Sequence, residues 1–251
     1  MSQVADHALT LWAGGKTQVR RWEKEPNQPV CDADIESNAM LRDALAAIDP
    51  DAGWLSEETA DSAHRLGTER VWVVDPIDGT RDYLRGRPGW AVSVALVEGG
   101  MPRLGILAAP ARNELWIARL GQGATLNGRI LRAGSRAILP GARVPADVLP
   151  KADRDLVAVA RPNSIALRMA MVAADQADLV ATVRWGNEWD IAAAALIAQE
   201  AGAIVSDALG QPISFNRENP TAFGLLCCTA GIHEAAVERL AGRARDLLGG
   251  G

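Results

Sequence analysis

Apolar residues along this chain fall in short runs separated by Gly, Pro, Asn and Asp. Read for period, those runs predict alternating helices and strands. Residues 4–22 carry apolar positions that predict a first helix. Lys24–Val30 is polar with two prolines and reads as a loop. Asp34 is placed to cap a helix over Ile35–Ile48, with Ile35, Met40, Leu41, Leu45 and Ile48 on the buried side and Asp49-Pro50-Asp51 ending it. Trp54-Leu55 opens a short strand that reaches Glu57-Glu58, and the polar stretch Thr59–Glu69 leads into a strand at Val71–Val74. A short helix is expected after Thr80. Strands at Trp90–Val97 and Leu104–Ala109 are joined by the turn Glu98-Gly99-Gly100; Leu115–Ala118 is a further strand, and Asn127-Gly128 signals a hairpin. This half reads as α+β with a meandering antiparallel sheet.

From Leu139 to Ala152 the chain is Pro-rich and irregular, a predicted seam between an N-terminal half (1–138) and a C-terminal half (139–251) of one compact unit. The second half alternates: strand Leu156–Ala160, helix Ser164–Ala174, strand Leu179–Val183, helix Glu188–Ala201 with Gly202 as C-cap, strand Ala203–Ser206, strand Phe223–Thr229, and a last helix from Ile232. The expectation is two sheets sandwiched by helices, with the functional site in the crevice between the halves.

Composition narrows the class. The chain has 251 residues, is 48% hydrophobic and carries a net charge of -5. That is ample material for a core, and an acidic balance with no Lys/Arg block argues against nucleic acid or a membrane surface as partner. Three cysteines are too few for a disulfide framework. Cys227-Cys228, with no His nearby, reads as buried strand and not as a zinc site. No basic flank and apolar core mark a signal peptide at the N-terminus, and the Ala-rich stretch Ile191–Ala198 is far too short to span a bilayer. A soluble, cytoplasmic protein is expected.

The chemistry is concentrated in Val71-Trp72-Val73-Val74-Asp75-Pro76-Ile77-Asp78-Gly79-Thr80. Two carboxylates end an apolar strand, where they are costly to hold together without a cation. The bland alternative is a solvated acidic turn. Asp34, Glu57 and Asp190 also sit where elements begin or end; for Asp190 the bland alternative is a first-turn acid favoured by the helix dipole. Hard oxygen ligands without His or Cys select magnesium, manganese or calcium, and carboxylates converging from separate elements suit phosphoryl transfer. Gly79-Thr80 adds backbone N–H groups after a tight turn, suited to a phosphate.

Three segments together resemble the inositol monophosphatase superfamily: Trp54-Leu55-Ser56-Glu57-Glu58, Asp75-Pro76-Ile77-Asp78-Gly79-Thr80, and Trp189-Asp190 opening an Ala-rich helix that ends in Glu200-Ala201-Gly202. Lys24 through Pro29-Val30-Cys31-Asp32-Ala33-Asp34 and the stretch Gly121–Gly128 also match. The resemblance implies a five-layer αβαβα sandwich and a lithium-sensitive phosphatase using two or three Mg2+ ions, with Mn2+ as a substitute. It assigns Glu57, Asp75 and the Ile77 carbonyl to a first metal, and Asp75, Asp78 and Asp190 to a second. It assigns Gly79 and Thr80 to phosphate, has Asp34 accept a hydrogen bond from Thr80 so that the pair polarises the attacking water, and lets Glu57, also a catalytic candidate, share a third, weaker ion. Glu58 is expected behind Glu57. Cys31 and Gln28 depart from the family's usual Thr and Ser. A homodimer is implied too, although the eight tryptophans suit a core equally well.

Substrate choice stays open. Thr182-Val183-Arg184 lacks the acidic residue that inositol monophosphatases use for inositol hydroxyls. Glu188-Trp189-Asp190 and Thr80-Arg81-Asp82-Tyr83 are similar to 3'(2'),5'-bisphosphate nucleotidases, with Arg168 as a candidate partner for a second phosphate. Arg168 is otherwise a solvent-facing helix residue, Glu188 a first-turn helix acid, and Lys24 either a loop lysine or a phosphate contact. The reading favoured is 3'-phosphoadenosine 5'-phosphate; inositol phosphate and histidinol phosphate are alternatives. In another class stands a regulatory or scaffold protein that keeps the fold.

Overall fold

A computed structural model describes residues 1–12, 19–26 and 28–249. Its centre is a seven-stranded sheet in the order β3-β4-β5-β6-β7-β8-β9. These strands are Gly53–Ser56, Arg70–Asp78, Ala91–Glu98, Met101–Ala109, Glu114–Arg119, Ala124–Leu126 and Arg129–Ile130. β3 runs parallel to β4, and every later neighbour is antiparallel. The unbroken apolar run of β4 has a simple cause: both faces of the sheet are covered. Val71 and Val73 point into one core, Trp72 and Val74 into another.

The Trp72 face is covered by α1 (Ser2–Trp12) and α2 (Asp32–Ile48). The short helix after Thr80 is α3 (Thr80–Leu84), and against the Val71 face lie α4 (Ile165–Ala173) and α5 (Glu188–Glu200). α5 is buried from Ile191 through Ala198, so it is apolar all round. Its alanines let it lie close to the sheet: a Cβ added at Gly105 of β6 would stand 2.5 Å from the Ala193 carbonyl. Beyond these helices comes a three-stranded sheet, β12 (Leu179–Asn187), β14 (Thr221–Thr229) and β13 (Ala203–Ser206), and α6 (His233–Gly249) covers its far face. The layers therefore run α, β, α, β, α as expected. The largest core cluster draws on both sides of the predicted seam, from Leu55 and Val73 to Leu196 and Leu225.

Several expectations are corrected. The first helix is described over Ser2–Trp12, and Arg21–Glu23 is a strand (β1) paired with Pro29–Cys31 (β2); residues 13–18 of the predicted helix lie outside the described residues. α2 begins at Asp32, with Cys31 as its N-cap, so Asp34 occupies the third helical position and is not the cap. β12 continues past Val183 to Asn187 through an irregularity between Thr182 and Trp185. The predicted irregular segment holds β10 (Arg143–Pro145), which pairs in parallel with β11 (Val157–Val159). Cys227 and Cys228 are adjacent residues of β14 facing opposite cores, and burial pushes both thiols up, Cys228 to about 12. Trp90 and Trp116 are buried, whereas Trp185 is 63% exposed. No helix among the described residues is long and apolar enough to cross a membrane.

Candidate active site

Strand direction brings the acids together. β3 and β4 are parallel, so both deliver their C-terminal residues to one edge of the sheet: Glu57 just past β3, and Asp75 and Asp78 at the end of β4. The pairing of β4 with β5 slips between Asp75 and Asp78, a bulge that re-aims side chains. The Ile77 N–H donates to Asp75 Oδ1 at 2.9 Å and fixes that turn. Asp190 arrives from the other half, at the third position of α5, where it accepts from the N–H of the N-cap Asn187 at 3.2 Å. Asp34 stands at the same position of α2 and accepts from the Cys31 N–H at 2.8 Å and the Cys31 thiol at 2.9 Å. Two helix starts thus present an acid in the same way.

Glu57, Asp75 and Asp190 each offer a carboxylate oxygen, and the three oxygens lie within 4.8 Å of one another. Asp78 adjoins this group without joining it. Its carboxylate accepts from the Ser164 hydroxyl, from the Ala166 N–H at 2.8 Å and from the Ile165 N–H at 3.3 Å. Thr80 Oγ1 sits 3.2 Å from Asp34 Oδ1 and 3.1 Å from the Ile77 carbonyl, so its single proton serves one acceptor at a time. Gly79 has φ +98°, and a Cβ there would meet the Gly89 carbonyl at 2.7 Å and the Ser164 nitrogen at 2.9 Å. Only glycine fits.

Electrostatics show what the cluster lacks. Asp75 is buried, and that burial, with the charges of Glu57, Asp78, Asp190 and Asp34, pushes its carboxyl well above the usual range. Removal from water and the charges of Asp78 and Glu57 do the same to Asp190, against the Asn187 hydrogen bonds. Burial raises Asp34 to about 6 against its bonds from Cys31, and raises Asp78 to about 6 against its bond from Ser164. The one lysine at the cluster among the described residues, Lys24, lies 3.3 Å from Glu57 and pairs with Glu58, whose carboxyl burial lifts to about 7. A single ammonium does not neutralise the six carboxylates Asp34, Glu57, Glu58, Asp75, Asp78 and Asp190. Hard oxygens, no imidazole among the described residues that line the site, and several buried carboxylates fit a divalent cation of the magnesium type.

The sequence matches the model of the inositol monophosphatase family over residues 3–246. This chain belongs to that family. It is 37% identical over 195 residues to a protein of Xylella fastidiosa named Nus factor SuhB, covering 71% of this chain and 69% of that one. It is 34% identical over 190 residues to a Thermotoga maritima fructose-1,6-bisphosphatase/inositol-1-monophosphatase, covering 72% of each. Among solved structures, Thermotoga maritima IMPase superposes with a TM-score of 0.82 at 28% identity, covering 98% of this chain and 95% of that one. Membership of the inositol monophosphatase family makes the chain a phosphoric monoester hydrolase, and metal dependence is typical of the family.

The family's acidic cluster opens onto a cleft of about 410 Å3 between the halves. Glu57, Asp75, Ile77, Asp78, Gly79, Thr80, Asp190 and Lys24 all line it. Asp34 stands behind Thr80, buried. Two further sequence candidates do not line the cleft. Glu188 is fully buried and turned away, accepting from the Asn216 and Arg217 N–H groups and from Arg217 Nε at 3.1 Å. Arg168 is not solvent-facing; it donates to the carbonyls of Pro162 and Asn163. Sequence reasoning missed Asn163, Asn187 and Trp189 as lining residues and Ser164 as the holder of Asp78. Ser164 and Asn187 carried a signal, each being a capping-type residue just ahead of a predicted helix.

Proposed function

We propose that this protein hydrolyses a small, polar phosphate monoester in a magnesium-dependent, lithium-sensitive reaction, with a polyol phosphate as the best-fitting substrate class. The observation that carries the reading is the convergence of Glu57, Asp75 and Asp190 beside Gly79 and Thr80. Those three acids would hold a divalent ion, with Asp78 and the Ile77 carbonyl beside them; manganese would substitute for magnesium. When bound, such an ion neutralises the carboxylates and makes water acidic enough to attack near neutral pH.

The remaining work falls to this chain's own groups. Gly79, in its left-handed turn, sets the phosphoryl group against the turn after β4. Thr80 takes a hydrogen bond from the attacking water and passes its own proton toward Asp34, which is mostly ionised at pH 7 and above. Lys24 draws charge off Glu57 and Glu58. Water supplies the new P–O bond, the ester bond breaks, and the alcohol leaves with a proton.

The bisphosphate nucleotidase reading is weakened, since Arg168 and Glu188 lie off the cleft; of its supports Thr80-Arg81-Asp82-Tyr83 remains, with Arg81 on the cleft wall. The argument against an inositol phosphate weakens as well, because Thr182, Val183 and Arg184 do not line the cleft either. Asn163 and Asn187 on the wall suit hydroxyl groups, and Trp189 is the one aromatic lining residue. A phosphate-release screen with magnesium over inositol, histidinol and sugar phosphates and 3'-phosphoadenosine 5'-phosphate tests this. Fastest turnover of a polyol phosphate supports it; preference for the bisphosphate overturns it. A regulatory role is the second reading, favoured by the Nus factor name of the Xylella relative. Asp75→Asn separates the two, since it abolishes hydrolysis and leaves a scaffold intact. The homodimer rests on family resemblance and is tested by light scattering.

A further inference from the structure

The acidic cleft is smaller than a second cavity, of about 630 Å3, which lies between β12 and α6 on one side and the segment 144–156 on the other. Its walls are mixed: Leu149, Leu179, Val183 and Leu240 give it an apolar side, and five arginines line it against two aspartates. That is a positive hollow in a chain whose net charge is -5. At the α6 end the charges are matched: Arg239 pairs with Asp155 at 2.7 Å and Arg243 with Asp153 at 3.0 Å. The opposite end is not. Arg161 holds Asp147 at 2.6 Å, whereas Arg168 and Arg184 form no ion pair among the described residues. The Arg168 guanidinium hydrogen-bonds two backbone carbonyls, and burial, with the charge of Arg161, pushes it down to about 10 against the charges of Asp78, Asp147 and Asp82. Three guanidinium groups lining one end of a hollow, two of them without an ion pair among the described residues, favour an anion shared between them.

We propose that this cavity binds a small organic phosphate, its head held by Arg161, Arg168 and Arg184 and its apolar or ring-bearing body lying against Leu149, Leu179 and Val183. Arginine forks match phosphate oxygens in pairs, and several guanidinium groups at one end call for a head of at least two charges, which a phosphate has and a carboxylate lacks. A hollow of this volume holds a molecule of nucleotide size. The site is separate from the cleft but shares a wall with it. Asn163, whose carbonyl Arg168 holds, lines the cleft, and Ser164, Ile165 and Ala166 hold Asp78. A ligand that draws Arg168 off those carbonyls therefore acts on the loop that positions a cleft acid.

The test is calorimetric titration of the full chain in EDTA with adenosine 5'-(α,β-methylene)diphosphate, a probe with no hydrolysable P–O–P link. Without divalent ions the cleft keeps its carboxylates unneutralised and disfavours the probe; its cations are Lys24 and Arg81, so Lys24→Met reports on any binding there. One equivalent should bind. Arg184→Glu, at an exposed position, should weaken binding by about tenfold or more, and Arg161→Ala should also weaken it. Lys24→Met, in the cleft, should leave it unchanged. Arg168→Ala disturbs the 162–163 loop, so the exposed Arg184 carries the decision. No binding at millimolar probe, wild-type binding by Arg184→Glu, or loss of binding in Lys24→Met would each overturn the proposal.

Discussion

Asp78 is held by Ser164: its carboxylate takes the Ser164 hydroxyl and the Ala166 N–H, which fastens the end of β4 to the start of α4. The same Ser164 hydroxyl oxygen accepts from the Leu167 N–H at 2.9 Å and caps α4. One side chain therefore serves a helix and a cleft acid that come from opposite halves. Ser164→Ala should lower stability by about 1–2 kcal/mol, which is a fall in melting temperature of about 2–8 °C for a chain this size. It should also raise the magnesium concentration for half-maximal activity by about tenfold, as removal of an outer partner does. Thermal melts and a magnesium titration check both, and an unchanged magnesium requirement would mean that Asp78 is not steered by Ser164.

Stability without metal should fall as pH rises. Asp34 and Asp78 have pKa values raised to about 6 and Glu58 to about 7, while Asp75 and Asp190 lie well above the usual range. A carboxylate with a raised folded pKa makes the folded state bind more protons than the unfolded one. The penalty is absent below the unfolded value, near 4, and grows as pH climbs through the folded values. In EDTA, Asp75→Asn should therefore melt above wild type at pH 8, with the gap closing toward pH 5. Saturating magnesium should reverse the order. Calorimetry at the two pH values decides, and a metal-free Asp75→Asn that melts below wild type at pH 8 would contradict the picture.

Arg65 clasps the two halves around the cleft. It is 2% exposed and grips Asp61 at 2.6 and 2.7 Å, Asn216 Oδ1 at 2.7 Å and the Arg217 carbonyl at 2.9 Å. Asn216 and Arg217 in turn donate to Glu188, two residues before Asp190. The loop that follows Glu57 is thereby tied to the helix start that carries Asp190. Arg65→Met strands Asp61 and the 216–218 loop, and should cost about 3 kcal/mol or more. Direct Mn2+ binding, followed by electron spin resonance at a temperature where the variant is folded, should weaken by about tenfold. Unaltered manganese affinity would reduce the clasp to a purely structural tie.

Which features the sequence disclosed follows from the range of the interactions. Val71–Val74 and the Ala-rich α5 are legible because burial on every side leaves a continuous apolar run. The acids of the cleft are legible because they end such runs. Arg21–Glu23 was hidden, since three residues become a strand only through pairing with Pro29–Cys31. Asp34 looked like a cap because Cys is not a usual one, yet Cys31 takes that place and Asp34 bonds back to it. Arg168 and Glu188 were misplaced for a related reason. Position on a helix gives a residue's face, but the loops at 162–163 and 216–217 that take their hydrogen bonds lie elsewhere in the fold.

The central claim is that Glu57, Asp75 and Asp190 hold a divalent cation in common. Crystals soaked in manganese and measured at its absorption edge test it most directly. An anomalous peak ligated by oxygens of all three residues is expected, and it should disappear or weaken in Asp190→Asn. A structure with no peak there, or with manganese bound while Asp190 stands apart from it, would rule out a shared cation.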